Sequence, residues 1–213
     1  LMCEQTLMHP TSDMKRLVPA IFTATLMLLL GCGDKPSQTA SAEPPTSGGA
    51  SSSANDPTAV WTAAATGDLD TLKQGVEGGV DLNEKEPAGG TTLLHVAVFA
   101  GQTEAARLLI EAGAELETKN NEQTTALFNA AFFCHPETLK LLIEKGGNVN
   151  ATDKSGNTIF DVTSSPWSAE LGGVYTFIGE ILKTPMDLKR IESTRPEIAG
   201  ILKKNGGKSA KDL

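Results

Sequence analysis

Cysteine and histidine are scarce in this 213-residue chain, and their placement limits the chemistry it can perform. There are three of each: Cys3, Cys32 and Cys134, and His9, His95 and His135. The cysteines are too few and too scattered for a disulfide framework, and none stands in the C-x-x-C spacing of a zinc site. Only Cys134 and His135 are adjacent. Consecutive helical residues point ~100° apart, which does not suit a bonded thiol–imidazole dyad. Cys134 reads instead as a small residue standing where Gly67 and Gly101 stand in neighbouring segments, with a thiol that can be exposed. Asp68 with Asp70, and Glu115 with Glu117, place carboxylates two residues apart, but no third acid, histidine or Gly-rich loop converges on either pair. A phosphate-binding loop, a G-x-S-x-G elbow and an H-E-x-x-H pair are all absent from the sequence. No catalytic residue, metal ligand or cofactor is therefore expected.

Composition narrows the class further. A formal charge of −8 and a pI near 4.9 do not suit a nucleic-acid binder, whose affinity rests on clustered Lys and Arg releasing counterions. With 39% hydrophobic residues the chain can bury one core of ordinary size, so a single domain with tails is expected. No small-molecule substrate is expected either.

The N-terminal segment reads as an address. Lys15 and Arg16 precede an apolar run from Leu17 to Leu30, shorter than the ~20 residues a membrane span needs and suited to a secretory signal. It ends in "LLGC", Leu29 to Cys32, which resembles the lipobox of bacterial lipoproteins, where a small residue precedes the lipid-bearing cysteine. The resemblance implies that residues 1–31 are a signal peptide, with Met14 the more natural start, and that Cys32 becomes the lipidated first residue of the mature protein. Two or more acyl chains would make attachment stable, at ~0.8 kcal/mol per buried methylene. Because Gly33 and not aspartate follows Cys32, the resemblance favours a bacterial cell-envelope protein on the periplasmic face of the outer membrane. From Gly33 to Asp56 there is no large apolar residue, so residues 32–56 read as a disordered Ser/Pro/Gly-rich linker.

The remaining residues repeat. Thr92, Leu94, Ala97, Glu104, Leu108, Leu109 and Gly113 recur, in the same order and at the same spacing, as Thr125, Leu127, Ala130, Glu137, Leu141, Leu142 and Gly146. Thr58, Val60, Ala63, Gly67 and Gly79 hold the matching places upstream, and Thr158 and Phe160 restart the pattern downstream. Each unit reads as two short helices and a turn, ending at a glycine suited to positive φ. No such unit encloses a core alone, so stacking is compulsory. "TLLHVA" at Thr92 to Ala97, "GGVDLN" and "GGNVN" resemble the ankyrin repeat, with Leu93 replacing the consensus proline. The resemblance implies an all-α solenoid of about four helix-turn-helix units over residues 57–207, with a short tail at 208–213.

"PEIAGILKKNGG", Pro196 to Gly207, matches "PETLKLLIEKGG", Pro136 to Gly147, so the last unit is split by an insertion near residues 168–195. Val174, Phe177, Ile178, Ile181 and Leu182 give that insertion an amphipathic helix, expected to cover the open end of the stack. In ankyrin proteins the turn tips and the ends of the first helices line a concave binding face. Carried over, those places give Thr91, Phe99, Glu122, Thr124, Phe132, Phe133, Lys154 and Asn157, with the three phenylalanines as an apolar strip. His95, at the consensus histidine, is expected to support the turns. The function implied is membrane-anchored protein–protein interaction with an unidentified protein partner. One alternative is an inhibitor or activator subunit of an envelope enzyme; another is a hydrolase whose site lies in the 167–195 insertion.

Overall fold

The computed structural model describes residues 57–181 and 185–213; the signal segment, Cys32 and the linker lie outside the described residues. Within them the fold is all-α, with nine helices and no strand. They are α1 (Pro57–Thr66), α2 (Leu69–Glu77), α3 (Leu93–Phe99), α4 (Thr103–Glu111), α5 (Ala126–Phe132), α6 (Pro136–Glu144), α7 (Ile159–Ser164), α8 (Ala169–Ile181) and α9 (Leu188–Lys204), followed by a 3-10 turn at Ala210–Asp212. Pairs α1/α2, α3/α4, α5/α6 and α7/α9 are the four units. The first members pack side by side as an inner layer, α1 on α3 on α5 on α7, and the second members as an outer layer, α2 on α4 on α6 on α9.

Each inner helix from α3 onward starts at a threonine because its extended backbone and short hydroxyl suit the N-cap. Thr92, Thr125 and Thr158 all hold that conformation, and the Thr125 and Thr158 hydroxyls accept from the amides of Phe128 and Asp161 at 3.3 and 3.2 Å. The helices α3, α5 and α7 are short, and their small residues Ala97, Ala130 and Ala131 are wholly buried, which lets neighbouring backbones approach. Leu72, Leu109, Leu142 and Leu202 fill the space between the two layers as one continuous core. Burial of each such leucine contributes ~1.5–3 kcal/mol.

All four outer helices end alike. Gly79, Gly113, Gly146 and Gly206 have φ of 80°, 102°, 95° and 84°, and the next amide in each case bonds back into the last turn, as Ala114 N to Leu109 O at 2.9 Å and Gly207 N to Leu202 O at 2.8 Å. A Cβ at any of the four would meet no atom within 4 Å. The left-handed backbone, and not crowding, is what requires glycine there.

The fourth unit departs from the sequence reading in two ways. Its outer helix α9 begins at Leu188, so Pro196, aligned above with the first residue of α6, lies inside a helix that starts well before it, and the inserted segment stops at residue 187. The inserted helix α8 also does more than pack on the last outer helix, α9. It lies against the C-terminal end of α5, where Val174 and Ile178 are buried with Phe133. The tail in turn closes on the last unit: the Thr158 hydroxyl donates to Lys208 O at 2.8 Å, the Ala210 amide to Asp161 Oδ2 at 2.9 Å, and the Lys208 amide to Asn150 Oδ1 at 2.8 Å. In the second unit the equivalent pair, Thr92 and His95, holds the turn of the next repeat. Residues 208–210 thus take the place that a following turn takes there.

Candidate protein-interaction surface

The turns between units are organised by one acceptor side chain each. Glu86 accepts from the amides of Ala88, at 2.9 Å, and Gly89. Asn120 Oδ1 accepts from Glu122 and Thr124, both at 3.0 Å, and Asp153 Oδ1 from Ser155 and Asn157 at 2.8 and 2.9 Å. These three acceptors stand at the same place in successive repeats. A carboxylate or amide here folds the chain back on itself, as in an Asx turn. Successive tips are then joined: Asn121 N donates to Gly89 O and Lys154 N to Glu122 O, each at 2.9 Å. The result is a row of tips in register, with Ala88, Asn121, Gln123, Lys154 and Ser155 exposed along it.

Set against that row, the eight residues expected to face a partner divide. Lys154 is exposed on its tip. Asn157 is half-buried, its amide nitrogen held to Asp153 Oδ2 at 3.3 Å. Thr91 and Thr124 are buried, because their groups close the turns: Glu86 N donates to Thr91 O at 2.9 Å and Asn120 N to Thr124 O at 3.1 Å. Glu122 is buried too, and its Oε2 has no hydrogen-bond partner. Burial pushes its carboxyl above the ordinary range, with Lys154 opposing that and Asp153 adding to it. The three side chains Thr91, Glu122 and Thr124 therefore hold the surface from behind and do not present it.

His95 links two units at the N-terminal ends of their inner helices. Its Nε2 lies 3.2 Å from Thr124 O and its Nδ1 2.9 Å from the Thr92 hydroxyl. The first contact requires Nε2–H, which leaves Nδ1 as acceptor in a neutral ring. Burial brings the imidazole down to about 4, against the hydrogen bond to Thr124 O, which acts the other way.

At the opposite end of the inner layer a second ladder runs along the stack. A carbonyl at the end of each inner helix or its exit is taken by a side chain from further along the chain: Ala65 O by Gln102 at 3.3 Å, Phe99 O by His135 at 3.1 Å, Phe132 O by the Tyr175 hydroxyl at 2.7 Å, and Ser165 O by Arg195 at 3.0 Å. These satisfy carbonyls left over at helix C-termini. The third rung comes from α8, not from the next outer helix. Arg190 at the start of α9 adds bonds to Phe133 O and Cys134 O, at 3.3 and 2.8 Å.

The aromatic strip lies at this end. The Phe99 and Phe133 rings meet edge to face with centroids 4.6 Å apart, Phe132 meets Phe133 at 5.0 Å, and Tyr175 of α8 meets Phe132 at 5.0 Å. Phe99 and Phe132 are half-buried, but Phe133 is only 3% exposed, covered by Val174 and Ile178. The expected three-ring strip is thus an intramolecular seat for α8, because the insertion supplies apolar cover that the repeat alignment does not contain.

Cys134 also differs from expectation. It is fully buried, with φ of 57° where Gly67 and Gly101 have 78° and 70°. Burial pushes its thiol up to about 11, although Arg195 and Arg190 favour the thiolate. A thiol in that state is a poor nucleophile. Burial also lowers His135, whose ring is turned away to Phe99 O. The insertion's acids Glu170, Glu180, Asp187 and Glu192 are all exposed, and Asp187 caps α9 through the Arg190 amide at 3.0 Å. Among the described residues no group of three or more His, Cys, Asp or Glu is placed to hold a metal ion, and no helix is long and apolar enough to cross a membrane.

Stacked helical hairpins, glycine-ended outer helices and a registered row of turns define a repeat solenoid. The model for ankyrin repeats in three copies matches residues 25–120 and 60–153, and the chain belongs to the ankyrin-repeat family. Inversin of Gallus gallus is 32% identical over 105 residues, which are 49% of this chain and 10% of that protein. The chain thus spans about a tenth of the length of that relative.

Proposed function

We propose that this chain is a lipid-anchored ankyrin-repeat adaptor of the bacterial cell envelope, held through Cys32 at the periplasmic face of the outer membrane, and that it binds a protein partner along its row of turn tips without catalysing a reaction. The observation that carries the reading is the register of the tips, Asn121 N on Gly89 O and Lys154 N on Glu122 O, which fixes exposed side chains from three turns on one rigid edge. A surface ordered before binding spares the entropy that a flexible loop would lose. Membership of a family of protein-binding repeats supports the same class of function, by association.

Two experiments test it. A photo-crosslinking amino acid placed in cells at Asn121 or Ser155 captures a partner that the same group at Lys140 or Lys203, exposed on outer helices, does not; equal capture from both faces removes the tips as the recognition edge. Metabolic labelling with a clickable palmitate marks the wild-type chain and not Cys32→Ala, and labelling retained in the variant removes the anchor.

A further inference from the structure

The helix α8 differs from every other helix in the stack. Gly172, Gly173 and Gly179 occupy three of its 13 positions, each weakening a helix relative to alanine. The repeat units also pack on one another directly, α7 on α5 and α9 on both α7 and α6, with the tail over Thr158 and Asp161, while α8 lies on α9 and sends Tyr175 into the common core. What α8 contributes is cover. Val174 and Ile178 lie on Phe133, the Tyr175 ring lies on Phe132 with Trp167 stacked 6.0 Å behind it, and the Tyr175 hydroxyl donates to Phe132 O. On its outer side Phe177 stays 48% exposed.

We propose that Phe99, Phe132 and Phe133 form a helix-binding seat of which α8 is the resident but displaceable occupant, and that the partner is a protein presenting an amphipathic helix. The resident defines the chemistry: an aliphatic residue, a tyrosine one place on and an aliphatic residue three further, as in Val174, Tyr175 and Ile178. Lifting α8 exposes an apolar edge-to-face cluster together with the Phe132 carbonyl, stripped of its tyrosine donor. A helix with that pattern satisfies both, by the helix-in-groove mode of recognition. The proposal deepens the protein-binding reading and rests on it, adding a second contact surface, gated by the chain itself, at the opposite end of the inner helices from the tips.

Hydrogen–deuterium exchange of the full chain, read by mass spectrometry, tests the gating without any partner. The α8 amides exchange ahead of those in α5 and α6. At Gly173 a Cβ meets nothing within 4 Å, so Gly173→Ala stiffens the helix without a clash and slows α8 exchange about fivefold. Tyr175→Phe keeps the ring, loses the hydroxyl's bond to Phe132 O and its contact with Arg195 of α9, and speeds it about fivefold. Unchanged protection in α3 to α6 shows that both variants remain folded. A fluorescent synthetic peptide of residues 166–181 then binds the Tyr175→Phe chain more tightly than wild type, and the Gly173→Ala chain least. If α8 exchanges together with α5 and α6 in all three chains, the gate does not exist. If α8 opens yet the peptide does not bind, the seat is not a helix site. Either result overturns the proposal while leaving the tip-crosslinking outcome to stand or fall by itself.

Discussion

The boundary between the second and third units and the boundary between the third and fourth perform one task with different parts. At the first, each end of the inner helices is tied by a histidine of the repeat: His95 reaches Thr124 O and His135 reaches Phe99 O. At the second, the carbonyl equivalent to Phe99 O is reached by Tyr175, from a helix outside the repeat, and Arg190 bonds the two carbonyls after it. A repeat therefore constrains which backbone groups must be satisfied, but not which segment satisfies them. That freedom is what lets an insertion become part of the surface while the stack continues past it.

The sharpest break between the two regions comes from the core. Leu109→Ala, at a fully buried site between the layers, lowers the unfolding free energy by ~2–5 kcal/mol in urea titration, and all helices are lost together. Ile178→Ala on α8 costs less globally and shows instead as faster exchange confined to α8. Should Ile178→Ala shift the global urea midpoint as far as Leu109→Ala, α8 is part of the stack and not an addition to it.

Acid separates the regions next. His95 is held neutral in the fold, so the unfolded chain takes up its proton first. Its contribution is complete above about 6.5 and is lost as pH falls toward about 4, up to ~3 kcal/mol. His135 is shifted in the same direction and adds to the effect. Urea midpoints measured from pH 7.5 to 4.5 fall in wild type and fall less in His95→Gln, which keeps a donor for Thr124 O but does not titrate. The tail has a different window. Asp161 is partly buried, which disfavours its charge, yet the bonds from Ser209, the Ala210 amide and Thr158 outweigh that and hold it at about 2. Its stabilisation is present above the ordinary aspartate range and is lost only as pH falls through about 2. Removing residues 208–213 costs about 1–2 kcal/mol at neutral pH, through loss of a charge-assisted bond and the turn cap. The smallest effect is chemical: Cys134, followed by peptide mapping, resists maleimide in the native chain and reacts once urea unfolds it.

The stack is legible in the sequence because its determinants are local and periodic. Thr92 and Thr125 begin helices, Gly113 and Gly146 end them, and the leucine pairs between them bury one face, so each unit announces itself at a fixed period. The seat of α8 has no such signal. Phe133 is covered by Val174 and Ile178, which lie beyond the next outer and inner helices, and no spacing rule connects residues that meet only through tertiary packing. The same holds for the tail on Thr158 and Asp161. Two features are readable but easily missed. Glu86, Asn120 and Asp153 align from repeat to repeat as turn-closing acceptors, and that alignment separates buried turn residues such as Thr91 and Thr124 from the exposed tips beside them. Cys134, in the place of two glycines, signals a left-handed backbone, which the structure has at φ 57°, but a residue at a helix junction is buried or exposed according to what packs on it. Here Ile191 and Arg190 of α9 do so, and they belong to the following unit.

The registered row of tips is tested most directly by paired cysteines. In a chain with Cys3→Ser and Cys32→Ser, pairs at Ala88 with Asn121, Asn121 with Lys154, and Ala88 with Lys154 are treated with a short bis-maleimide. Adjacent tips, joined by Asn121 N to Gly89 O and Lys154 N to Glu122 O, should crosslink within one chain, and the first-to-third pair should not. Crosslinking of the first-to-third pair as readily as the neighbours would mean that the turns are not layered in order, and the recognition edge would not exist.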